Sequence, residues 1–573
     1  MAIDRVMGIE TEYGISRRSA EKKSIYDERD QNHISDTDFV IGSYDSALAK
    51  WDYNAEQELP LGDARHINNR ILTNGARFYD DHGHPEYSTP ECTSPLQLVI
   101  HDKAGERILN HARMLANAYL QNDRRTAKDS IVIYKNNFDS RGKSFGCHEN
   151  YLIERRTPWN KIRELMIPFF VTRQIFTGAG KVGLHTDSYP ERRLYHPYQE
   201  LKRWILSEFQ QAGVFFEIVG LSGEHNDMYG NLYSIFHNLE KKAKEESLED
   251  ILEDSRSAYY HVLEFLEKGR KDIPAIYQLS QRADFFVCEE GQQTTAKRPL
   301  INLRDEPHAD PSKYRRFHVI VGDSNLAPWS TYLKTGTTKL VLDLIEDGLI
   351  GEEVVIQNPV DAFHSISRDQ EWKWNVTFLD GSQGTAIDVQ ELYLNKAKQH
   401  YSSDPASDEI IGRWEYVLDA LKRQDFPDLS TKLDHAIKKQ MLDGMMKKHN
   451  WSLASPEVLK LDMRYHNIDP DEGIFHKYQS RGRVDTLGIS EDDIKYAMTN
   501  PPEDTRAYFR GECLRRFPHH VISSNWDVVN VRNGRHRDEI KLEPFRGTKK
   551  LTQDIFDNAG TISDLVDKLE VTA

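Results

Sequence analysis

Four short segments set the strongest constraint on how this chain folds, because each repeats polar or charged residues with the two-residue period of a β-strand. In GIETEYG, Glu10 and Glu12 share one strand face, while Ile9, Thr11 and Tyr13 share the other. In ARFYDD, Arg77, Tyr79 and Asp81 share a face; in CHENY, His148 and Asn150 do; in RRFHV, Arg316 and His318 do. One such strand reads equally well as a solvent-facing edge. Four together predict a sheet with a polar, concave face. Carboxylates suit hard cations such as Mg²⁺, and arginines suit phosphate. The joint pattern therefore predicts a site for a metal–nucleotide complex built on a sheet.

One of these segments opens the run from Ala76 to Cys92, ARFYDDHGHPEYSTPEC, which holds four carboxylates, two histidines and two tyrosines. Such a density of titratable groups is costly to pack unless something binds them. The rest of the composition is ordinary for a globular protein. The chain has 573 residues, 38% of them hydrophobic, which allows more than one core and excludes wholesale disorder. A net charge of -16 argues against nucleic acid as a partner. The four cysteines, Cys92, Cys147, Cys288 and Cys513, are far apart, which argues against a disulfide framework and a cysteine-rich zinc site. MAIDRVMGIETEYG lacks the apolar run of a signal peptide, and no stretch approaches eighteen apolar residues. A soluble, cytoplasmic protein without membrane contact is expected.

Along the chain, Arg5–Ile15 reads as an opening strand, and about 35–70 as a long loop with some helix. ERILNHARMLANAYLQ carries helical periodicity, and DSIVIYKNN and GCHENYLIER read as a pair of strands. About 190–270 is helical, highly charged and expected at the surface. RRFHVIVGDSN is a later strand, followed by the helix STYLKTGTTKLVLDLIEDG. A last module contains TRAYFRGECL, the strand NWDVVNVR and a terminal helix with Ile562, Leu565, Val566 and Leu569 on one stripe.

Two motifs are decoys. GAGKVG, Gly178–Gly183, matches GxGxxG but follows a helical pattern, and Val182 stands after Lys181 where a Walker A motif needs Ser or Thr. It reads as a flexible loop near substrate. HGH with Asp81 and Glu86 resembles the HxH of zinc hydrolases, but zinc leaves Arg77 and Arg316 without a role.

GIETEYG, NGARFYDDHGHPEYSTPEC, GCHENYLI, SQRADFF, INLRDEPHADPSKYRRFHVIVGDSN and TRAYFRGECL, in that order, resemble the Pup ligase/depupylase family. The resemblance implies an α+β fold. A large glutamine synthetase-like domain (1–497) would carry a curved antiparallel sheet cradle backed by helices, and a small C-terminal α/β domain (498–573) would follow. One branch of the family joins Pup, a small ubiquitin-like modifier, to lysines at the expense of ATP. The other deamidates Pup and removes it from conjugates. KWDYNAEQELPLGDAR resembles the loop found in depupylases, and the DHGHPEY spacing matches that branch.

The resemblance therefore implies a depupylase acting on Pup, or a Pup-like modifier, and on pupylated proteins, with a link to the bacterial proteasome. ATP, or ADP plus phosphate, and Mg²⁺ would be bound cofactors. By the same resemblance Glu10, Tyr79, Glu86, His148 and His318 hold Mg²⁺, and Asp81 is the catalytic carboxylate, as nucleophile or as base. Glu10, Arg77, Thr89, Asn150, Arg316 and Trp526 would contact the nucleotide, with Trp526 stacking on the base. Arg282 would clamp a phosphate or a substrate carboxylate, or else pair with Asp284. A pupylating ligase is the alternative, and a zinc amidohydrolase a more distant one.

Overall fold

The computed structural model describes residue 3 and residues 5–18, 35–44, 48–51, 68–124, 126–138, 144–184, 275–294 and 297–572. Ten strands form the main sheet. In chain order they are β1 (Met7–Glu12), β2 (Leu48–Trp51), β3 (Asn69–Leu72), β4 (Arg77–Asp81), β5 (His84–Ser88), β6 (Cys147–Glu154), β7 (Tyr314–Val319), β8 (Val521–Ser524), β9 (Val528–Asn533) and β10 (His536–Lys541). Their spatial order is β7–β6–β1–β5–β4–β3–β2–β8–β9–β10, and every pairing is antiparallel except β2 with β8. This is the α+β class expected.

Local chemistry fixes the central hairpins. Between β4 and β5 the turn is His82-Gly83, with φ of 51° and 87°. Positive φ at both positions is what a two-residue hairpin turn requires, and it sets Asp81 opposite His84. Asp80 Oδ1 accepts from Gly83 N at 2.7 Å and closes the turn. The HGH motif is thus a turn. His82 is exposed, and His84 stacks on Phe145 at 4.3 Å, so the two rings do not converge on a metal.

The back face is apolar and buried. Ile9, Phe78, Tyr87, Tyr151, Phe317 and Val319 point there, against helices α1 (Pro95–Asn122), α2 (Trp159–Thr177) and α3 (Pro328–Glu346). Helix α1 starts with Ser94, whose side chain accepts from Gln97 N, and crosses so close to the sheet that a Cβ on Gly105 would lie 2.3 Å from Tyr87 Cδ1. A fully buried charge sits on this face. Glu149 is fully buried and takes two bonds from Arg173 of α2, at 2.5 and 2.9 Å, and one from Tyr151 Oη at 2.7 Å.

Several expectations change in detail. The opening strand breaks at Tyr13, where the chain leaves the main sheet and Gly14–Arg18 pairs with Ser130–Tyr134. The segments DSIVIYKNN and GCHENYLIER are both strands but lie in different sheets. Gly178–Gly183 is no flexible loop: Ala179 N donates to Asp323 Oδ2 at 2.9 Å, and Lys181–Leu184 pairs with Ala275–Gln278. The expected 190–270 insert, and the 35–70 loop apart from helix Asp36–Ser43 and the β2 and β3 strands, lie outside the described residues or at their edges. No described helix is long and apolar enough to cross a membrane.

Removing one member of a buried ion pair leaves the other charge uncompensated, at a cost of about 3–5 kcal/mol. Arg173→Met should lose about that much in denaturant unfolding, and Arg173→Met with Glu149→Gln should recover part of it. A loss below about 1 kcal/mol in the single variant would mean that the pair does not hold α2 to the sheet.

Candidate functional site

Residues opposite one another on neighbouring strands share a face. Pairing places His148, Glu10, Ser88 and Arg77 in one row across β6, β1, β5 and β4, and Glu12, Glu86 and Tyr79 in the next. Asn150 and His318 pair beside the first row. Two clusters result. The ligand atoms of Glu10, His148 and His318 lie within 4.8 Å of one another, and so do those of Glu12, Asp81 and Glu86.

The first cluster is held by hydrogen bonds. Glu10 accepts from Asn150 Nδ2 at 2.9 Å and Arg316 Nη2 at 3.0 Å, and lies 3.3 Å from His148 Nδ1. Burial works against its charge, but Arg316, then His148 and His318, hold the carboxyl well below the usual range. Arg316 also donates to Asn150 Oδ1 at 2.7 Å. His318 is buried with no hydrogen-bond partner for either ring nitrogen. Burial, reinforced by Arg316, pulls its pKa well below the ordinary value, so it is a neutral imidazole with lone-pair character to offer.

The second cluster is frustrated without a cation. Burial, then Asp81 and Glu12, push Glu86 well above the usual carboxyl range. Burial and Asp81 likewise raise Glu12. Tyr79 Oη donates to Glu86 in a short hydrogen bond, so Tyr79 and Glu86 belong with Glu12 and Asp81 and not with the histidines. The five residues expected to hold Mg²⁺ are distributed over two clusters on the same face. Exposed His82 lies 3.1 Å from Asp81 Oδ1, which pushes the imidazole up to about 9.

A divalent cation fits both positions on the chemistry of their donors. Unpartnered imidazole nitrogens meet a carboxylate in one, and three oxygen donors crowd together in the other. Gly146, just before β6, makes room for them. A Cβ there would lie 2.4 Å from Glu12 Oε1 and 2.6 Å from His148 Nε2.

Beside the first cluster opens a cleft of about 630 Å³. Its walls include Glu10, Thr89, Asn150, Arg316 and, from the C-terminal strands, Trp526. Thr89 Oγ1 accepts from Ile9 N at 3.0 Å. Arg77 bonds Asn69 Oδ1 at 2.9 Å, and its guanidinium lies 3.8 Å from the Tyr79 ring centroid; it does not pair with Glu86. Arg282 is fully buried and donates to the carbonyls of Ile320 and Gly322 at 2.5 and 3.0 Å, while Asp284 pairs instead with Lys181 and Arg368. Arg282 is not among the cleft-lining residues; Glu12 is the first charge that acts on it. Sequence reasoning placed Glu12 on this face without a role, and missed Ser88 and Gly146 altogether. Ser88 was readable two residues beyond Glu86; its hydroxyl is buried without a partner and lines the cleft.

A largely antiparallel sheet with helices behind and two cation-type clusters in front of it defines a glutamine synthetase-like protein, and two solved structures bear this out. A complex between Pup and its ligase PafA matches with a TM-score of 0.69 at 27% identity, over 100% of this chain and 95% of that one. PafA in complex with ADP matches with a TM-score of 0.64 at 28% identity, over 85% and 89%. More narrowly, the Pup-ligase protein family profile matches residues 5–226 and 263–530, and the chain belongs to that family. The depupylase of Acidothermus cellulolyticus is 36% identical, over 98% of each chain. The Pup deamidase/depupylase of Mycolicibacterium smegmatis is 35% identical, over 99% of this chain and 100% of that one. A Pup–protein ligase of Paenarthrobacter aurescens is 32% identical, over 97% and 99%.

Gly146→Ala should leave the fold intact, because the atoms in the way are ends of movable side chains. Displacing Glu12 and His148 should weaken Mn²⁺ binding roughly 10–100-fold, as loss of ligand positioning commonly does. Titration calorimetry showing unchanged Mn²⁺ affinity in a folded variant would separate this face from metal binding.

Proposed function

We propose that this protein is a depupylase and Pup deamidase. It hydrolyses the isopeptide bond between the C-terminal glutamate of Pup, or a Pup-like modifier, and substrate lysines, and deamidates a C-terminal glutamine of Pup. The observation that carries this is full-length similarity: relatives named depupylase or Pup deamidase are 35–36% identical over 98–99% of the chain, against 30–32% for relatives named ligase. A cytoplasmic setting and a connection to the bacterial proteasome belong to the same reading.

In this reading Glu10, His148 and His318 hold one Mg²⁺, and Glu12 and Glu86 hold another, with Tyr79 steadying Glu86 through its hydroxyl. The oxygen-only second cluster favours Mg²⁺ over zinc. ATP, or ADP with phosphate, would be held in the cleft as a retained cofactor, with Arg77 and Arg316 serving its phosphates and Thr89 and Trp526 its base. Residues 498–573, with an apolar cluster of their own around Phe509, Val531 and Phe556, form the small domain that carries Trp526. When bound, the cation would, with the nearby arginines, stabilise negative charge developing on the scissile carbonyl oxygen.

Asp81 stands at the rim of the second cluster, a third exposed and open to substrate. As a base it takes a proton from water and passes it to the departing lysine amine, or to ammonia in deamidation. As a nucleophile it forms an anhydride with the glutamyl carbonyl while the C–N bond breaks and the amine leaves with a proton from water. A second water then opens the anhydride and restores the Asp81 carboxylate.

The purified protein incubated with a Pup–lysine conjugate and Mg-ADP plus phosphate should release free Pup without net nucleotide turnover. ATP consumed in step with new conjugate formation would establish the ligase reaction in its place. Asp81→Asn should lower cleavage roughly 10²–10⁴-fold with nucleotide binding retained. Asp80→Asn keeps the acceptor that closes the turn and should cleave almost normally. Equal behaviour of the two variants would remove Asp81 from the reaction.

A further inference from the structure

We propose that Glu91 is a positioning residue for the nucleotide, fixing the Trp526 wall of the cleft through Arg506 and Arg510. The inference rests on the nucleotide reading above. Glu91 lies between the end of β5, which supplies Ser88, and the start of α1. Its Oε1 accepts from Arg506 Nε and from Arg510 Nη1, both at 2.9 Å, and its Oε2 accepts from Arg510 Nη2. Both arginines come from α4 (Ala507–Arg516) or the residue before it, one helical turn apart.

The two guanidiniums carry this anchor into four other segments. Arg510 donates to the carbonyl of Trp526 at 2.6 Å and to that of Gly75, in the β3–β4 turn, at 3.0 Å. Its guanidinium lies 5.3 Å from the Trp526 ring centroid. Arg506 donates to the carbonyls of His308 at 2.5 Å and Leu542 at 2.9 Å. Thr505 Oγ1 adds a bond to the Glu91 carbonyl at 2.9 Å. Both arginines are buried, so Glu91 supplies the carboxylate that compensates two desolvated charges. The two arginines hold Glu91 down to about 2 against the effect of burial. Glu91, Arg506 and Trp526 all line the cleft, at the end away from the second cluster.

The anchor acts on the base end and leaves the phosphate end alone. Glu10, Arg77 and Arg316 are held by other groups, Arg77 by Asn69 and both Glu10 and Arg316 by Asn150. Glu91→Gln keeps the size but removes the charge and turns an amide donor toward a guanidinium donor. It should weaken Mg-ATP binding roughly tenfold or more, the scale of losing a charge-assisted, bidentate contact. Mg-tripolyphosphate, which has no base, should bind Glu91→Gln within about twofold of the unaltered protein. Trp526→Ala should give the same split, and combining it with Glu91→Gln should add little further loss.

Should Glu91→Gln fail to fold, Arg510→Lys is read in the same way, because it keeps the charge but not the fork. Equal weakening of both ligands, or additive losses in the double variant, would make Glu91 a general structural residue and overturn the inference. Unchanged Mg-ATP binding in a folded Glu91→Gln would overturn it alone. Absence of Mg-ATP binding in the unaltered protein would overturn the nucleotide reading and this inference together.

Discussion

The carboxyl groups of Glu12, Asp81 and Glu86 are brought within 4.8 Å of one another by pairing of β1, β4 and β5, and nothing among the described residues fully neutralises them. Burial, and after it their mutual repulsion, lifts Glu86 and Glu12 above the ordinary carboxyl range. A sheet that spends stability on such a cluster cannot close this face by packing another layer on it. The back face has to supply the cohesion instead. Ile9, Phe78, Tyr87, Tyr151 and Phe317 do so against three long helices, and even the charge among them, Glu149, is matched by Arg173. The asymmetry of the sheet, apolar behind and charged in front, is thus one constraint with two consequences.

The main sheet also runs on into the C-terminal strands. Ser523 and Ser524 pair in parallel with Lys50 and Trp51, so β8 to β10 extend the same surface that carries the two clusters. Parallel pairing of one strand is a modest link. The bonds radiating from Glu91, and the bonds of Thr93 and Gln97 to Asp504, strengthen it with polar groups at the first turn of α1. The cleft lies along this seam, where side chains from both ends of the chain meet, a common place for ligand sites.

Much of this was legible in the sequence because period-two alternation is independent of tertiary context. It put Glu10, Arg77, Tyr79, Asp81, His148, Asn150, Arg316 and His318 on strand faces, and register in the sheet brings those faces together. What alternation cannot supply is register between strands. That Glu86 and Tyr79 stand beside Glu12 is therefore visible only in the strand pairing. Arg282 illustrates a second limit, since its bonds go to the carbonyls of Ile320 and Gly322, which no side-chain pattern announces. Glu91 illustrates a third, because its partners lie more than 400 positions along the chain. The HGH motif was ambiguous until the positive φ of His82 and Gly83 made it a turn.

The central claim is that one sheet face holds two divalent cations beside a nucleotide cleft. Anomalous diffraction from crystals of the protein with Mn²⁺ and ADP tests it most directly. The account predicts one manganese peak among Glu10, His148 and His318, another among Glu12, Asp81 and Glu86, and the adenine against Trp526. Manganese bound elsewhere, or ADP seated away from the cleft while both clusters remain empty, would contradict it.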